Sequence, residues 1–310
     1  MNMEIRNWAY DEFPEFTKEV EGAIRLHTTG EEPGVQLYHA VEYANVDKTA
    51  LHLNILCPDT RNESVTETKR IRPCIVHVQG SAWMEQDIYR ETPQISNLAK
   101  RGYVVAIVEY RHSGIAPFPA QIIDTRNAVR FMRVHAAEYG VDPERIAVSG
   151  TSSGGHTAVF AGMRHNDNTK ENLFPGVSAE VSGILNFYGA TSIMREDANP
   201  TTLNHLLPDS PEGMEMGGVN LREREDLRRA MSADCNITED TDIPPMLILH
   251  GTKDRLVNAA QSADLYRRLR ECGKKAELYL IEGADHGGPE FWTEEVIDLI
   301  DSFLKKQCGM

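Results

Sequence analysis

The sequence predicts an α/β protein built on a mostly parallel eight-stranded sheet with helices on both faces. Three observations predict this. Short β-branched or aromatic runs alternate with helical patterns along most of the chain. The later runs are continuously apolar, as strands buried on both faces must be. The first two instead alternate in polarity, as an antiparallel hairpin with one wet face does.

Residues 1–35 are polar and irregular, end in "TTGEEPG", and read as an N-terminal arm before a domain over 36–310. Strands are expected at 37–44, 51–57, 74–80, 103–111, 145–150, 183–189, 245–251 and 276–283. A helix is expected from Pro119 to Gly140, because Ile122, Val129, Met132 and Ala136 fall on one stripe at helical spacing. A second helix over 259–273 repeats the pattern and stops at Gly273. A last one over 291–306 directs Trp292, Val296, Ile300 and Phe303 inward. Residues 190–244 break the rhythm: they are polar, rich in Met, Glu and Arg, and carry no convincing strand. Such an insertion is read as a lid over a site or a cluster of surface helices, with an oligomer contact through 194–218 as a third reading.

Composition narrows the function classes. A chain of 310 residues buries a sizeable core without staples. Its five cysteines, Cys57, Cys74, Cys235, Cys272 and Cys308, are odd in number, scattered and without a CxxC pair. That argues against a disulfide framework or a zinc site and fits a reducing compartment. The opening "MNMEIRNWAYDEFPEF" has no apolar run of signal-peptide type, and no stretch approaches a membrane span, so the protein is read as cytoplasmic. The net charge of −15 disfavours nucleic acid and anionic membrane as partners.

The chemistry concentrates in "AVSGTSSGGH" (147–156). Of its three serines, only Ser152 has glycine two residues before it and two after it, giving G-x-S-x-G. A strand that turns abruptly into a helix presents the serine at the apex, and small neighbours are needed because the two arms of the turn nearly touch. The flanking "RIAVSG" strand and "GGHTAVFAGM" helix supply that context, and the Ser153 N–H at the helix start faces developing negative charge. An ordinary glycine turn is the competing reading.

A serine hydroxyl needs a base, and the base an orienting carboxylate, in the order Ser…Asp/Glu…His. Of the downstream histidines, His286 lies in the glycine-rich "IEGADHGG" after the last strand. His205 falls in the irregular insertion, and His250 ends an apolar strand, as a packing or loop-bracing residue would. For the acid, Asp254 in "LILHGTKDRLV" reaches the same sheet edge, although an aspartate there also serves as a helix N-cap. Asp285 and Glu282 are weaker candidates. "VHVQGSAWMEQD" (76–87) places Gly80, Ser81 and Ala82 after a buried strand, where small residues can present free N–H groups to an oxyanion; Trp83 follows, as core or as substrate contact.

Taken together, these stretches resemble the α/β-hydrolase superfamily, in particular its hormone-sensitive-lipase-like and bacterial carbohydrate-ester esterase branch. The resemblance covers roughly residues 40–305 and is most specific from Tyr110 to His156. It implies Ser152 as nucleophile, Asp254 as acid, His286 as general base, and an oxyanion hole from the N–H groups of Ser81, Ala82 and Ser153. The branch commonly reads H-G-G-G-W or H-G-G-x-W where this chain has Gln79-Gly80-Ser81-Ala82-Trp83, and G-D-S-A-G-G where it has G-T-S-S-G-G. The expected activity is a serine carboxylic-ester hydrolase acting on a small-molecule ester of a short-chain or aromatic acid, acetyl or feruloyl on a sugar being the example. No metal or cofactor is implied. Two alternatives stay open: an amidase or peptidase of arylformamidase type, and a non-catalytic binding protein on a hydrolase scaffold. A homo-oligomer is also left open.

Overall fold

The structure is a computed structural model and describes residues 5–28, 33–59, 71–163, 170–194 and 199–310. Its strands are β1 (Val35–Val46), β2 (Thr49–Pro58), β3 (Arg72–Val78), β4 (Val104–Val108), β5 (Val141–Thr151), β6 (Ile184–Phe187), β7 (Met246–Gly251) and β8 (Ala276–Ile281). They form one sheet in the order β1-β2-β4-β3-β5-β6-β7-β8. β1 pairs antiparallel with β2, and β2 antiparallel with β4; every later pairing is parallel. The antiparallel start extends the expected hairpin by one pairing.

The helices follow as α1 (Thr92–Lys100), α2 (Ala120–Val134), α3 (Ala136–Tyr139), α4 (Ser153–Gly162), α5 (Pro211–Glu215), α6 (Glu225–Met231), α7 (Ala233–Asn236), α8 (Ala260–Glu271) and α9 (Glu294–Cys308). One core cluster joins Val76, Ala106 and Val148 of the sheet to α2, α4 and α8; a second joins Ile75, Ile107 and Leu247 to α1 and α9. Adjacent strand residues therefore point into opposite layers, which is why the central strands are apolar throughout.

Three details depart from the periodicity. The helix expected over 119–140 breaks at His135 into α2 and α3 and ends at Gly140, whose φ of 68° closes it. Its expected stripe is nevertheless buried. In α9 the buried residues are Ile297, Ile300, Phe303 and Leu304; Val296 and Trp292 pack against the same core half-buried, Trp292 from a separate 3-10 turn because the helix starts only at Glu294. Helix α1, not foreseen, is short and carries Pro93 in its first turn, which hides its periodicity.

Residues Met1–Glu32 form one compact unit and Pro33–Met310 another. Strand β1 starts at Val35, just inside the expected arm. In the first unit the described residues hold a single 3-10 turn, Tyr10–Glu12, and Arg6 lies 3.9 Å above the Trp8 ring. The described part of 190–244 contains α5, α6 and α7 and no strand. Ala190, Ile193, Leu206, Leu221 and Met231 form its own small core together with Trp83 and Val257. All five cysteines are free thiols. Among the described residues, no helix is long and apolar enough to cross a membrane.

Candidate active site

Strand β5 ends at Thr151 and helix α4 begins at Ser153, leaving Ser152 alone at the turn with φ 53° and ψ −123°. A side chain rarely adopts this backbone, and the surroundings hold it there. The Ser152 N–H donates to the Phe187 carbonyl at 2.9 Å. The two flanking glycines are steric necessities: a Cβ on Gly150 would lie 2.1 Å from the Gly154 carbonyl oxygen, and one on Gly154 would lie 2.0 Å from that of Val78.

The sheet's topology brings two distant loops to this apex. Ser152 Oγ lies 2.7 Å from His286 Nε2, and His286 Nδ1 lies 2.7 Å from Asp254 Oδ2. A carboxylate only accepts, so Nδ1 carries the ring proton; in the neutral ring Nε2 then accepts from the Ser152 hydroxyl. The other oxygen of Asp254, Oδ1, accepts the backbone N–H groups of Leu256 (2.9 Å) and Val257 (2.8 Å). Burial pushes the Asp254 carboxyl up, but hydrogen bonds from His250 and His286 outweigh it and hold the group well below the usual carboxylate range. The site therefore keeps a fixed negative charge behind His286.

The remaining candidates lie elsewhere. Asp285 does not orient the His286 ring: it accepts the backbone N–H of His286 and binds the Arg255 side chain. Glu282 is exposed. His205 is buried in the insertion, its Nδ1 2.8 Å from Glu212 Oε1. His250 is wholly buried and sits behind the acid rather than beside the serine.

The loop after β3 corrects two expectations. The Ser81 N–H, expected to face an oxyanion, donates instead to Ser153 Oγ at 3.0 Å. No described hydrogen bond engages the N–H groups of Ala82 or Ser153, so these two are the available donors. Ala82 and Trp83 both have positive φ, 56° and 55°, which turns the chain sharply here. Trp83, expected as a substrate contact, is 2% exposed and packs into the insertion's core, edge-on to His156 at 5.1 Å. Its indole N–H has no partner in the structure.

A cavity of about 500 Å³ opens over Ser152 and His286, between Gly80–Ala82, Leu256 and Gly287–Pro289. No described residue of 190–244 lines it; described residues of the insertion pack instead against Trp83, behind the loop after β3. Its wall includes residues that local sequence signals did not reveal: Arg90, Glu91, Gln94, Tyr188 and Trp292. Tyr188 stands edge-on to His286 at 4.9 Å. Glu91 accepts from Thr151 Oγ1 (3.0 Å) and from His77 Nε2 (2.9 Å). Nothing in "DIYRETPQ" announces a site residue; only the approach of α1's start to β5 puts Glu91 beside the elbow. No group of three or more His, Cys, Asp or Glu among the described residues could hold a metal ion.

Residues 62–269 match the family described as BD-FAE, two thirds of the chain. The chain belongs to this family. The BD-FAE chain is also 29% identical over 209 residues to the probable carboxylic ester hydrolase LipM of Mycobacterium tuberculosis, covering 67% of this chain and 47% of the relative. Esterase LipC of the same organism is 27% identical over 226 residues, 69% of this chain and 53% of that one. The chain thus spans about half the length of these curated relatives. Among solved structures, a truncated carbohydrate esterase from gut microbiota superposes with TM-score 0.76 at 24% identity, covering 91% of this chain and 99% of that one. Propionate-bound esterase 2 of Thermogutta terrifontis superposes with TM-score 0.67 at 27% identity, covering 90% and 96%. The fold is the α/β-hydrolase fold.

Proposed function

We propose that this BD-FAE chain is a serine carboxylic-ester hydrolase working through an acyl-enzyme. The observation that carries the proposal is the continuous relay from Ser152 Oγ through His286 to Asp254, with both contacts at 2.7 Å, at the mouth of a cavity next to two unengaged N–H groups. Ser152 Oγ attacks the ester carbonyl while His286 Nε2 takes its proton. The carbonyl oxygen becomes an oxyanion between the Ala82 and Ser153 N–H groups, at the positive end of α4. Collapse breaks the bond to the leaving oxygen, which receives the proton from His286 and departs as the alcohol. Water then gives a proton to His286 and attacks the acyl carbon; the acid leaves, and the proton returns to Ser152 Oγ.

Short-chain or aromatic acyl groups fit a cavity of this size with only a few apolar walls. Among the structural neighbours, the Thermogutta esterase is described with propionate and butyrate bound. The polar wall of Arg90, Glu91 and Gln94 beside Trp292 suits a hydroxylated alcohol, in keeping with an acylated carbohydrate. Five free thiols favour a reducing, cytoplasmic setting.

The test is active-site labelling with a fluorophosphonate, run beside a panel of p-nitrophenyl esters and a matched anilide. Labelling of the wild type, its loss in Ser152→Ala, and ester turnover well above anilide turnover are expected. A folded wild type that neither labels nor turns over any ester would overturn the proposal.

A further inference from the structure

The strand β7 that delivers Asp254 also carries His250, four residues earlier and fully buried. Its Nε2 lies 3.1 Å from Asp254 Oδ2 and 2.9 Å from the Val257 carbonyl oxygen. Both of those atoms only accept, so Nε2 must carry a proton. On the opposite edge of the ring, Nδ1 lies 2.7 Å from Ser262 Oγ, in the first turn of α8. With Nε2 protonated, the neutral ring accepts from the Ser262 hydroxyl at Nδ1, and that hydrogen bond holds the tautomer.

Asp254 is thereby saturated: two backbone N–H groups on Oδ1, and two imidazoles on Oδ2. The chain Ser152–His286–Asp254–His250–Ser262 reads hydroxyl, imidazole, carboxylate, imidazole, hydroxyl. Neither His250 nor Ser262 lines the cavity. A purely packing role for His250 would be met by any ring of similar volume and would need neither the Ser262 contact nor the bond to the acid.

We infer that His250, with its tautomer set by Ser262, is a positioning residue for the reaction: it aims the Asp254 carboxylate at His286 and shares its charge. The inference rests on the hydrolase reading above. Sharing matters because every donor on Oδ2 competes for the same lone-pair density. Removing the His250 donor leaves more negative charge for His286, favours its protonated form, and raises the pH below which the base is lost. The other groups facing the relay are Asp285, held by Arg255; Tyr188, edge-on to the His286 ring; Glu290 beside Gly288; and Arg90 and Glu91 on the cavity wall. His250 is hydrogen-bonded to none of them, its partners being Ser262, Asp254 and the Val257 carbonyl.

The experiment compares wild type, His250→Gln and His250→Leu for the pH profile of kcat/KM on a p-nitrophenyl ester, with thermal melting of each. The glutamine amide keeps a donor near the Nε2 position; leucine keeps only bulk. In His250→Leu, kcat/KM is expected to fall on the order of tenfold, the value of one buried hydrogen bond to a charged group. Its acid limb is expected to move upward by roughly half a pH unit or more, and His250→Gln to restore most of the limb position. An acid limb unmoved in a folded His250→Leu, or losses in both variants that follow melting temperature alone, would overturn the inference. A measurement on the unaltered protein stands apart from folding of the variants and from catalysis: nitrogen-15 spectra of labelled histidine should show His250 protonated at Nε2. A bare Nε2 there would equally sink it, while an active-site serine that fails to label would sink the hydrolase reading instead.

Discussion

The Ser81 backbone N–H donates to the Ser153 hydroxyl at 3.0 Å, tying the loop after β3 to the first residue of the elbow helix. Ser81 Oγ in turn donates to the Met84 carbonyl at 2.6 Å and pairs with the Tyr110 hydroxyl at 2.9 Å. The loop that offers the Ala82 N–H is therefore pinned by side chains from two other segments, Ser153 and Tyr110, and by its own Met84 carbonyl, so the donor is set before any substrate arrives.

Removing the acceptor should loosen that donor. In Ser153→Ala the Ser81 N–H loses its partner within a half-buried loop, while the Ser153 backbone N–H stays in place. We expect kcat on p-nitrophenyl acetate to drop about tenfold with KM little changed, as for an interaction made chiefly in the transition state. Steady-state kinetics check this; an unaltered kcat would mean the bond does not hold the oxyanion donor.

Gly80 is where the same loop touches the elbow. A Cβ there would lie 2.5 Å from the Thr151 carbonyl oxygen and 2.8 Å from Ser152 Cβ. Neither neighbour can swing aside, because one is backbone and the other belongs to the strained serine. Gly80→Ala should cost roughly 1–3 kcal/mol of stability by overpacking and lower kcat/KM by at least about tenfold through displacement of Ser152. Denaturant unfolding and ester turnover read the two effects separately.

The elbow itself stores strain. Ser152→Ala and Ser152→Gly both delete the hydroxyl, yet only glycine is comfortable at φ 53° and ψ −123°. The glycine variant should be more stable than the alanine variant by about 1–2 kcal/mol, the usual cost of one such backbone conformation. Equal melting temperatures for the two would show that the turn is relaxed.

His156, one turn into α4, gives stability a pH dependence. Burial pushes its pKa down to about 4, opposed by the hydrogen bond between its Nε2 and the Met231 carbonyl. In the unfolded chain it titrates near ~6.5. Between those values the unfolded state holds a proton that the folded state refuses, so this group's effect is to lower stability as pH falls from about 6.5 to 4. His156→Gln, which does not titrate, should show a shallower loss over that window than wild type, by up to about 3 kcal/mol at its lower end. Identical slopes in urea unfolding across that range would contradict this.

Trp83 lies in the insertion's core and not on the cavity wall. Trp83→Phe removes an unpartnered buried N–H as well as some volume, and these effects oppose one another. The expected outcome is a stability change within about 1.5 kcal/mol and an unchanged KM across the ester panel. A KM that rises selectively for one acyl or alcohol class would return Trp83 to the substrate.

The sequence by itself carried the sheet and the spacing of the relay. Period-two and continuous apolar runs mark strands through local side-chain direction, and Gly150, Ser152 and Gly154 dictate an elbow through backbone sterics confined to five residues. The order Ser152, Asp254, His286 was legible because each follows a strand end on one sheet edge. Tertiary structure alone decided which N–H groups are left open. Of the three N–H groups expected in the oxyanion hole, that of Ser81 is engaged by the Ser153 hydroxyl oxygen, more than seventy residues away, while those of Ala82 and Ser153 stay open. It also decided that Trp83 turns inward, that Glu91 and Tyr188 reach the cavity, and that His250 stands behind the acid. The physical reason is range: backbone sterics act between neighbours in the chain, whereas hydrogen-bond partners and burial are set by atoms that only the folded sheet brings together.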